Sequence, residues 1–207
     1  MTKKTMIRTL IYAFGYLAVL YPASVRILNL EWSLDSTFLS NLYPIFGLIA
    51  FSILWLHSIS GVFESWLRKQ IDFDSYVKYT STIVFISIIL HPFIYLMILD
   101  FNLGEIFSVS RLYIWLGIIG WLLLITYDIG KAFIHKGLFS RNWNKILLIS
   151  TLGFIIIFFH SLGLGSDLQS GVLRKLWIFY GTTGIISTIY TYGLKRLLSA
   201  SNASGND

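Results

Sequence analysis

Residues 146–164 read ILLISTLGFIIIFFHSLGL, nineteen positions without a charged side chain and with one histidine, His160. At a rise of about 1.5 Å per residue, a helix of this length crosses a hydrocarbon core about 30 Å thick. Apolar and polar residues do not alternate with a period of two, so a strand of a membrane β-barrel does not fit. The stretch predicts a transmembrane helix that carries an imidazole inside the bilayer.

The same kind of stretch recurs along the chain. The whole sequence is 56% hydrophobic and 13% charged, against about 25% charged residues in soluble domains. It predicts an all-α integral membrane protein, a six-transmembrane-helix bundle that forms one domain over 1–198, followed by a disordered polar tail at 199–207. No internal repeat is evident. The six predicted spans are 6–21, 39–58, 77–99, 112–129, 146–164 and 176–194.

The distribution of basic residues predicts the orientation. If the N-terminus is cytoplasmic, twelve Lys and Arg residues lie inside and four lie outside, as the positive-inside rule requires. We therefore expect both termini to be cytoplasmic, and the first span to be a retained helix rather than a cleaved signal peptide. This distribution also accounts for the net charge of +6, so no nucleic-acid partner is expected.

Two of the four histidines lie at matching depths. His91 and His160 each come 14 residues after the start of spans 77–99 and 146–164, which run in the same direction. The chain has no cysteine, and imidazole is a common ligand of metals and of haem iron. The pair predicts a site for one haem in the outer half of the bilayer. The alternative is that each imidazole only hydrogen-bonds to a neighbouring helix.

Other residues near this level carry weaker signals. Arg111 begins the fourth span on the outer side, where it could pair with a haem propionate or only anchor the helix at the interface. Gly153 lies two turns below His160, where it could admit a flat macrocycle or only allow close helix packing. His57 and His135 fall on the inner side and are expected to be solvated at the interface, with a second, inner site as the weaker alternative.

Two stretches carry a resemblance to a known family. Residues 111–121 read RLYIWLGIIGW, and Arg141-Asn-Trp143 is followed 17 residues later by His160. Over residues 43–194 the sequence resembles the ferric reductase-like transmembrane domain family, and within it the haem-binding membrane subunit of periplasmic methionine sulfoxide reductase systems. Family members use paired histidines of the third and fifth helices as axial ligands of b-type haem, often for two haems.

The resemblance implies a single haem here. The family has an inner-layer histidine where this chain has Leu147, and the matching positions of the third span, Val77 and Lys78, are not histidine either. The resemblance therefore implies at most one haem b, ligated by His91 and His160. It also implies an integral protein of the bacterial inner membrane that passes electrons from the cytoplasm or the quinone pool to a periplasmic acceptor.

The electron donor is expected to be a separate molecule. No Gly-x-Gly-x-x-Gly motif marks a nucleotide-binding unit, so the donor is a flavin reductase, a quinone or a non-covalently held flavin. The acceptor is an extracytoplasmic protein or small molecule. We expect the electron-transfer subunit of an oxidoreductase, without catalytic residues of its own. Two alternatives stay open: a haem-free membrane scaffold or small transporter of the same fold, and direct reduction of ferric iron or dioxygen at the haem edge.

Overall fold

A computed structural model describes residues 2–30, 32–35, 37–108 and 110–194. The predicted disordered tail lies outside these residues. The described chain is helical, with short connections and no strand. Its helices are α1 (Lys3–Leu28), α2 (Phe38–Val62), α3 (Glu64–Gln70), α4 (Phe73–Ile98), α5 (Leu103–Ile106), α6 (Arg111–Ala132), α7 (Gly137–Arg141), α8 (Trp143–Leu164) and α9 (Gly171–Ile189); a 3-10 turn (Ser166–Leu168) precedes α9 and a π-helical segment (Tyr190–Leu194) continues it.

Five of these helices are long and apolar enough to cross a membrane: α1, α2, α4, α6 and α8. They correspond to the first five predicted spans. Helix α9 is not among them; it has 19 residues and carries Arg174 and Lys175 near its start. The structure therefore supports a multi-pass helical membrane bundle, and the sixth crossing remains a proposal.

Basic residues are concentrated at one end of the bundle. This end, which we name the basic end, holds the start of α1, helix α3 and the connection from α6 to α8. Ten of the fourteen Lys and Arg residues that the structure describes lie here, and four lie toward the opposite end. The ten are Lys3, Lys4, Arg8, Arg68, Lys69, Lys78, Lys131, Lys136, Arg141 and Lys145.

Two helical hairpins form most of the bundle, because α2 packs chiefly against α4 and α6 chiefly against α8. Helices α6 and α8 approach each other very closely. A Cβ atom added at Gly153 would lie 2.9 Å from the carbonyl oxygen of Gly120 and from the backbone nitrogen of Leu124. Of the two roles considered for Gly153, close helix packing is the one that the structure shows.

The two hairpins resemble one another in sequence, although no internal repeat was expected, and we name this correspondence the repeat. Residues 42–49 (LYPIFGLI) correspond to 112–119 (LYIWLGII), and residues 81–91 (STIVFISIILH) correspond to 150–160 (STLGFIIIFFH). The stretches 81–91 and 150–160 are identical at six of eleven positions. The shift between copies is 70 residues for the first helix of each hairpin and 69 for the second, so no single shift aligns both.

Stacked aromatic rings hold α9 against the hairpins. The ring of Phe51 lies between those of Phe154 and Trp177, with centroid distances of 4.9 and 4.5 Å. Trp55 stacks on Tyr180 at 3.9 Å, and the Tyr180 hydroxyl donates to the carbonyl oxygen of Ala18 on α1. Offset stacking of this kind adds about 0.5–1.5 kcal/mol per pair beyond the burial of area.

A buried arginine joins three segments at the opposite end. Arg26, near the end of α1, is only 5% exposed. Its guanidinium donates to the backbone carbonyl oxygens of Ser40 and Asn41 and pairs with the Asp167 carboxylate. These donors are all directed to acceptors, so the charge is buried without being left unpaired.

We predict that Arg26→Met destabilises the fold by about 2–3 kcal/mol. Breaking a buried ion pair costs about 3–5 kcal/mol, and we reduce this value because the Asp167 side chain is 22% exposed. The check is the thermal unfolding midpoint of the purified protein in detergent. Arg68→Met is the matched control, since the Arg68 side chain is 44% exposed and ion pairs at the surface contribute little to stability. Equal midpoints for the two variants would contradict the role assigned to Arg26.

Candidate functional site

His91 is held against α2 by a backbone contact and a glycine. Its Nδ1–H donates to the carbonyl oxygen of Tyr43 at 2.9 Å. The imidazole lies on Gly47, one helical turn further along α2, where an added Cβ would approach the ring carbon Cε1 to 3.1 Å. The ring of Tyr43 packs beside the imidazole, with 5.3 Å between centroids. The side chain is half-buried and fixed in orientation.

His160 has the same arrangement in the second hairpin. Its Nδ1–H donates to the carbonyl oxygen of Tyr113 at 2.8 Å. The imidazole lies on Gly117, again four residues after the tyrosine, where an added Cβ would come within 2.6 Å of the ring. Tyr113 in turn packs on Gly163, whose added Cβ would approach the tyrosine ring to 2.3 Å. The repeat thus conserves the setting of the imidazole as well as the residue.

These contacts decide which ring nitrogen carries the proton. A carbonyl oxygen can only accept a hydrogen bond, so Nδ1 of both His91 and His160 must be the donor. In a neutral imidazole the other nitrogen, Nε2, then keeps its lone pair. Neither Nε2 atom has a hydrogen-bond partner among the described residues. Two imidazole nitrogens of the same kind therefore have unshared lone pairs.

The two imidazoles lie in the same part of the bundle. Both contact the beginning of the neighbouring helix at the end opposite the basic end, as the matched depths predicted. The indole N–H of Trp121 on α6 donates to the carbonyl oxygen of Ile88 at 2.8 Å, which joins the hairpins one turn below His91. Among the described residues no group of three or more His, Cys, Asp or Glu could hold a bare metal ion, so a site here depends on a pair of histidines.

The other two histidines differ from this pair. His135 is exposed in the connection after α6, as expected. His57 is half-buried. Its Nε2 lies 2.7 Å from the hydroxyl oxygen of Thr80, which itself donates to the carbonyl oxygen of Tyr76, so Nε2–H of His57 is the donor. His57 has the opposite tautomer to His91 and His160.

Arg111 begins α6 two residues before Tyr113, whose carbonyl holds His160. Its side chain is exposed and forms no ion pair within the part of the chain that the structure describes. The guanidinium is thus free to meet an anionic group beside the imidazole layer.

A large cavity occupies the half of the bundle nearer the basic end. Its volume is about 870 Å³, which is within the range of small-molecule sites. Residues of α2, α3, α4, α6, α8 and α9 line it, among them His57, Leu147 and Lys78. We name it the vestibule. The cavity includes the level of Leu147 and Lys78, where the resembled family has histidines and this chain does not.

The sequence prediction found the two imidazoles but missed what positions them. The tyrosine carbonyls are backbone atoms, and a backbone atom leaves no residue signature. The glycines were visible: Gly47 and Gly117 each stand four residues after a tyrosine, at equivalent places in the repeat. An alignment of the two hairpins with separate shifts for their two helices would have identified both.

We predict that adding a methyl group at these glycines destabilises the protein in proportion to the crowding. Gly117→Ala should lower stability by about 1–3 kcal/mol, as overpacking does, and Gly47→Ala by less, because its Cβ would lie 3.1 Å from the ring instead of 2.6 Å. Gly15→Ala on α1 is the control, since nothing lies within 4 Å and alanine improves helix propensity by up to about 1 kcal/mol. Thermal unfolding midpoints check the order. If Gly117→Ala were as stable as Gly15→Ala, the imidazole would not be held on α6 as described.

No protein-family model, curated protein or solved structure matches this chain.

Proposed function

We propose that the protein is a haem b-binding electron-transfer subunit in which Nε2 of His91 and Nε2 of His160 ligate one haem iron. The observation that carries the proposal is the duplicated setting of the two imidazoles. In each, Nδ1 is bound to a tyrosine carbonyl and Nε2 is left without a partner among the described residues. This is the arrangement by which proteins fix the tautomer and orientation of a metal-ligating histidine.

The free nitrogens favour ligation over hydrogen bonding alone. A histidine that serves only to join two helices needs one ring nitrogen, and an unsatisfied acceptor in an apolar setting costs about 1–3 kcal/mol. Both Nε2 atoms are left without a protein partner, at equivalent places in the two hairpins. Their lone pairs would be available to ligate a haem iron. Gly47 and Gly117 fit the proposal in another way, because the lack of a side chain lets each imidazole lie flat on the neighbouring helix, which fixes its orientation.

Haem bound here would supply one-electron chemistry. The chain's own residues do the rest. His91 and His160 would hold the iron, and their hydrogen bonds to the carbonyl oxygens of Tyr43 and Tyr113 would orient the rings and raise the basicity of Nε2. Arg111 is our candidate partner for a propionate. Gly153 is not assigned to the haem contact, since it packs against α6.

The distribution of charge supports an orientation in the membrane, and the family resemblance implies the direction of electron transfer. We propose that the basic end is cytoplasmic, that α9 with its π-helical extension is the sixth span, and that the protein lies in a bacterial inner membrane. A separate flavin reductase, a quinone or a non-covalently held flavin would deliver electrons, and an extracytoplasmic protein or small molecule would accept them. In this proposal the chain is one subunit of an oxidoreductase, as its resemblance to the ferric reductase-like family implies.

One observation favours a second candidate function, that of a haem-free small transporter or scaffold. The vestibule is large and its wall carries charged side chains from three helices, including Arg68, Lys78 and Asp128. A purely structural bundle does not need such a space. A solute could enter the membrane domain from the basic end, and in that case the two histidines would only join helices.

We expect His91→Ala and His160→Ala each to abolish a low-spin b-type absorption spectrum in protein purified after expression with added haem. Each imidazole fills one axial position, so neither can replace the other, and the two variants should look alike. The measurement is the oxidised and dithionite-reduced spectrum, normalised to protein. Well-folded wild-type protein without a Soret band would decide for the haem-free alternative.

The controls for this experiment are His135→Ala and Leu147→Ala. His135 is exposed at the basic end, and Leu147 lies 13 residues before His160 on α8, at the level of the vestibule. Both variants should retain the wild-type spectrum. If His135→Ala lost the haem while His91→Ala kept it, the ligand assignment would be wrong.

The orientation predicts where reporters appear. A reporter fused after residue 207 should be cytoplasmic, and one inserted in the connection 100–110 should be outside, because an even number of spans returns the chain to the side of its N-terminus. Alkaline phosphatase and green fluorescent protein fusions make the measurement. A C-terminal reporter found outside would contradict both the number of spans and the orientation.

A further inference from the structure

The vestibule carries two opposite charges that do not pair. Asp128 and Lys131 lie three residues apart near the end of α6, and both line the cavity. Neither forms an ion pair within 4 Å with any residue that the structure describes. The Lys131 ammonium donates instead to the hydroxyl oxygen of Ser81 on α4 at 3.1 Å. A neutral hydroxyl is not a counter-ion, so both charges remain available.

Most of the other charged side chains of the vestibule form ion pairs with one another. Arg68 is bound to the carboxylates of Glu64 and Asp74 at 2.9 Å each. Lys78, the other lining cation, is exposed near the start of α4. Asp128 and Lys131 thus give the vestibule a carboxylate and an ammonium one helical turn apart, and Lys78 adds a second ammonium. A ligand with only one sign of charge would leave one sign unmatched or repelled.

Hydroxyl groups on the wall offer acceptors. The hydroxyls of Thr151, Ser187 and Thr188 each donate to a carbonyl oxygen one turn earlier in their own helix. Their protons are therefore used, and their lone pairs are what they can present to a ligand. Such oxygens suit an ammonium group. The Thr191 hydroxyl, also on the lining, is buried and has no partner among the described residues.

The deep wall of the vestibule is apolar. Ile88, Leu124 and Phe154, all buried, line the cavity on the side toward the imidazole layer. An apolar body would remove this surface from water. The cavity therefore combines a charged and hydroxylated portion with a hydrophobic end, which is the polarity of a zwitterion that has an apolar side chain.

We propose that the vestibule binds an amino-acid-like zwitterion, with its carboxylate beside Lys131, its ammonium beside Asp128 and the hydroxyl oxygens, and its apolar side chain against Ile88, Leu124 and Phe154. This site is separate from the pair of histidines and does not depend on haem.

Three probes that differ only in charged groups test the proposal. They are 4-nitrophenylalanine, a zwitterion; 3-(4-nitrophenyl)propionate, which lacks the ammonium; and 2-(4-nitrophenyl)ethylamine, which lacks the carboxylate. Nitroaromatic rings quench tryptophan fluorescence, and Trp143 lines the vestibule. The full-length protein in nanodiscs of neutral lipid should show saturable quenching by the zwitterion and at least tenfold weaker binding of the other two. The Trp143→Phe variant should lose most of the quenching amplitude.

Variants locate the site. Lys131→Gln and Asp128→Asn should each weaken binding of the zwitterion about tenfold, the factor expected for one charge-assisted hydrogen bond. Lys131→Arg and Asp128→Glu should stay within threefold of wild type. Lys136→Gln is the matched control, because Lys136 lies at the same end over the ring of Phe133 and does not line the vestibule; it should bind as wild type does.

The outcomes separate cleanly. Equal affinity for the zwitterion and the anion would show that Asp128 has no part and would overturn the proposal, as would equal affinity for the zwitterion and the amine. Unsaturable quenching by all three would show that the probes only partition into lipid, and would overturn it too. If one variant did not fold, the ranking of the three probes on the wild-type protein would still decide. None of these readouts uses haem, so a failure here is distinct from a failure of the proposed function.

Discussion

Two hydrogen bonds to backbone carbonyls set the chemistry of this bundle. An imidazole inside a membrane is costly unless its polar atoms are satisfied, and His91 and His160 each satisfy Nδ1 with the carbonyl of a tyrosine on the adjacent helix. This contact requires the helices to approach closely, which the glycine one turn further on permits. The same bond fixes the proton on Nδ1 and leaves the lone pair on Nε2. The same contact therefore accounts for how each histidine packs and for which of its nitrogens keeps a lone pair.

The repeat explains why the arrangement occurs twice. Each hairpin brings a tyrosine, a glycine and a histidine together through the same spacing. The copies differ at the level of the vestibule, where His57 of the first hairpin corresponds to Tyr127 of the second and Lys78 corresponds to Leu147. The imidazole layer is thus symmetric in composition, whereas the layer beneath it is not. This difference separates a proposed cofactor site from a proposed solute site within one bundle.

Much of the fold could be predicted from the sequence, since helices that cross a bilayer must be long and apolar. The first five spans and the shared level of His91 and His160 followed from that requirement. Other features could not be predicted in this way. The partner of each imidazole is a main-chain oxygen, the half-burial of His57 depends on Thr80 from another helix, and the close approach at Gly153 depends on the backbone of α6. Each is set by tertiary packing, which the hydropathy pattern does not encode.

The central claim is that both Nε2 atoms ligate a single iron. Electron paramagnetic resonance of the oxidised, haem-loaded protein tests it most directly, because two axial imidazoles give low-spin ferric iron. The account predicts a low-spin ferric signal that integrates to one haem per chain. A high-spin ferric signal from the intact protein, or well-folded protein that takes up no haem, would contradict it.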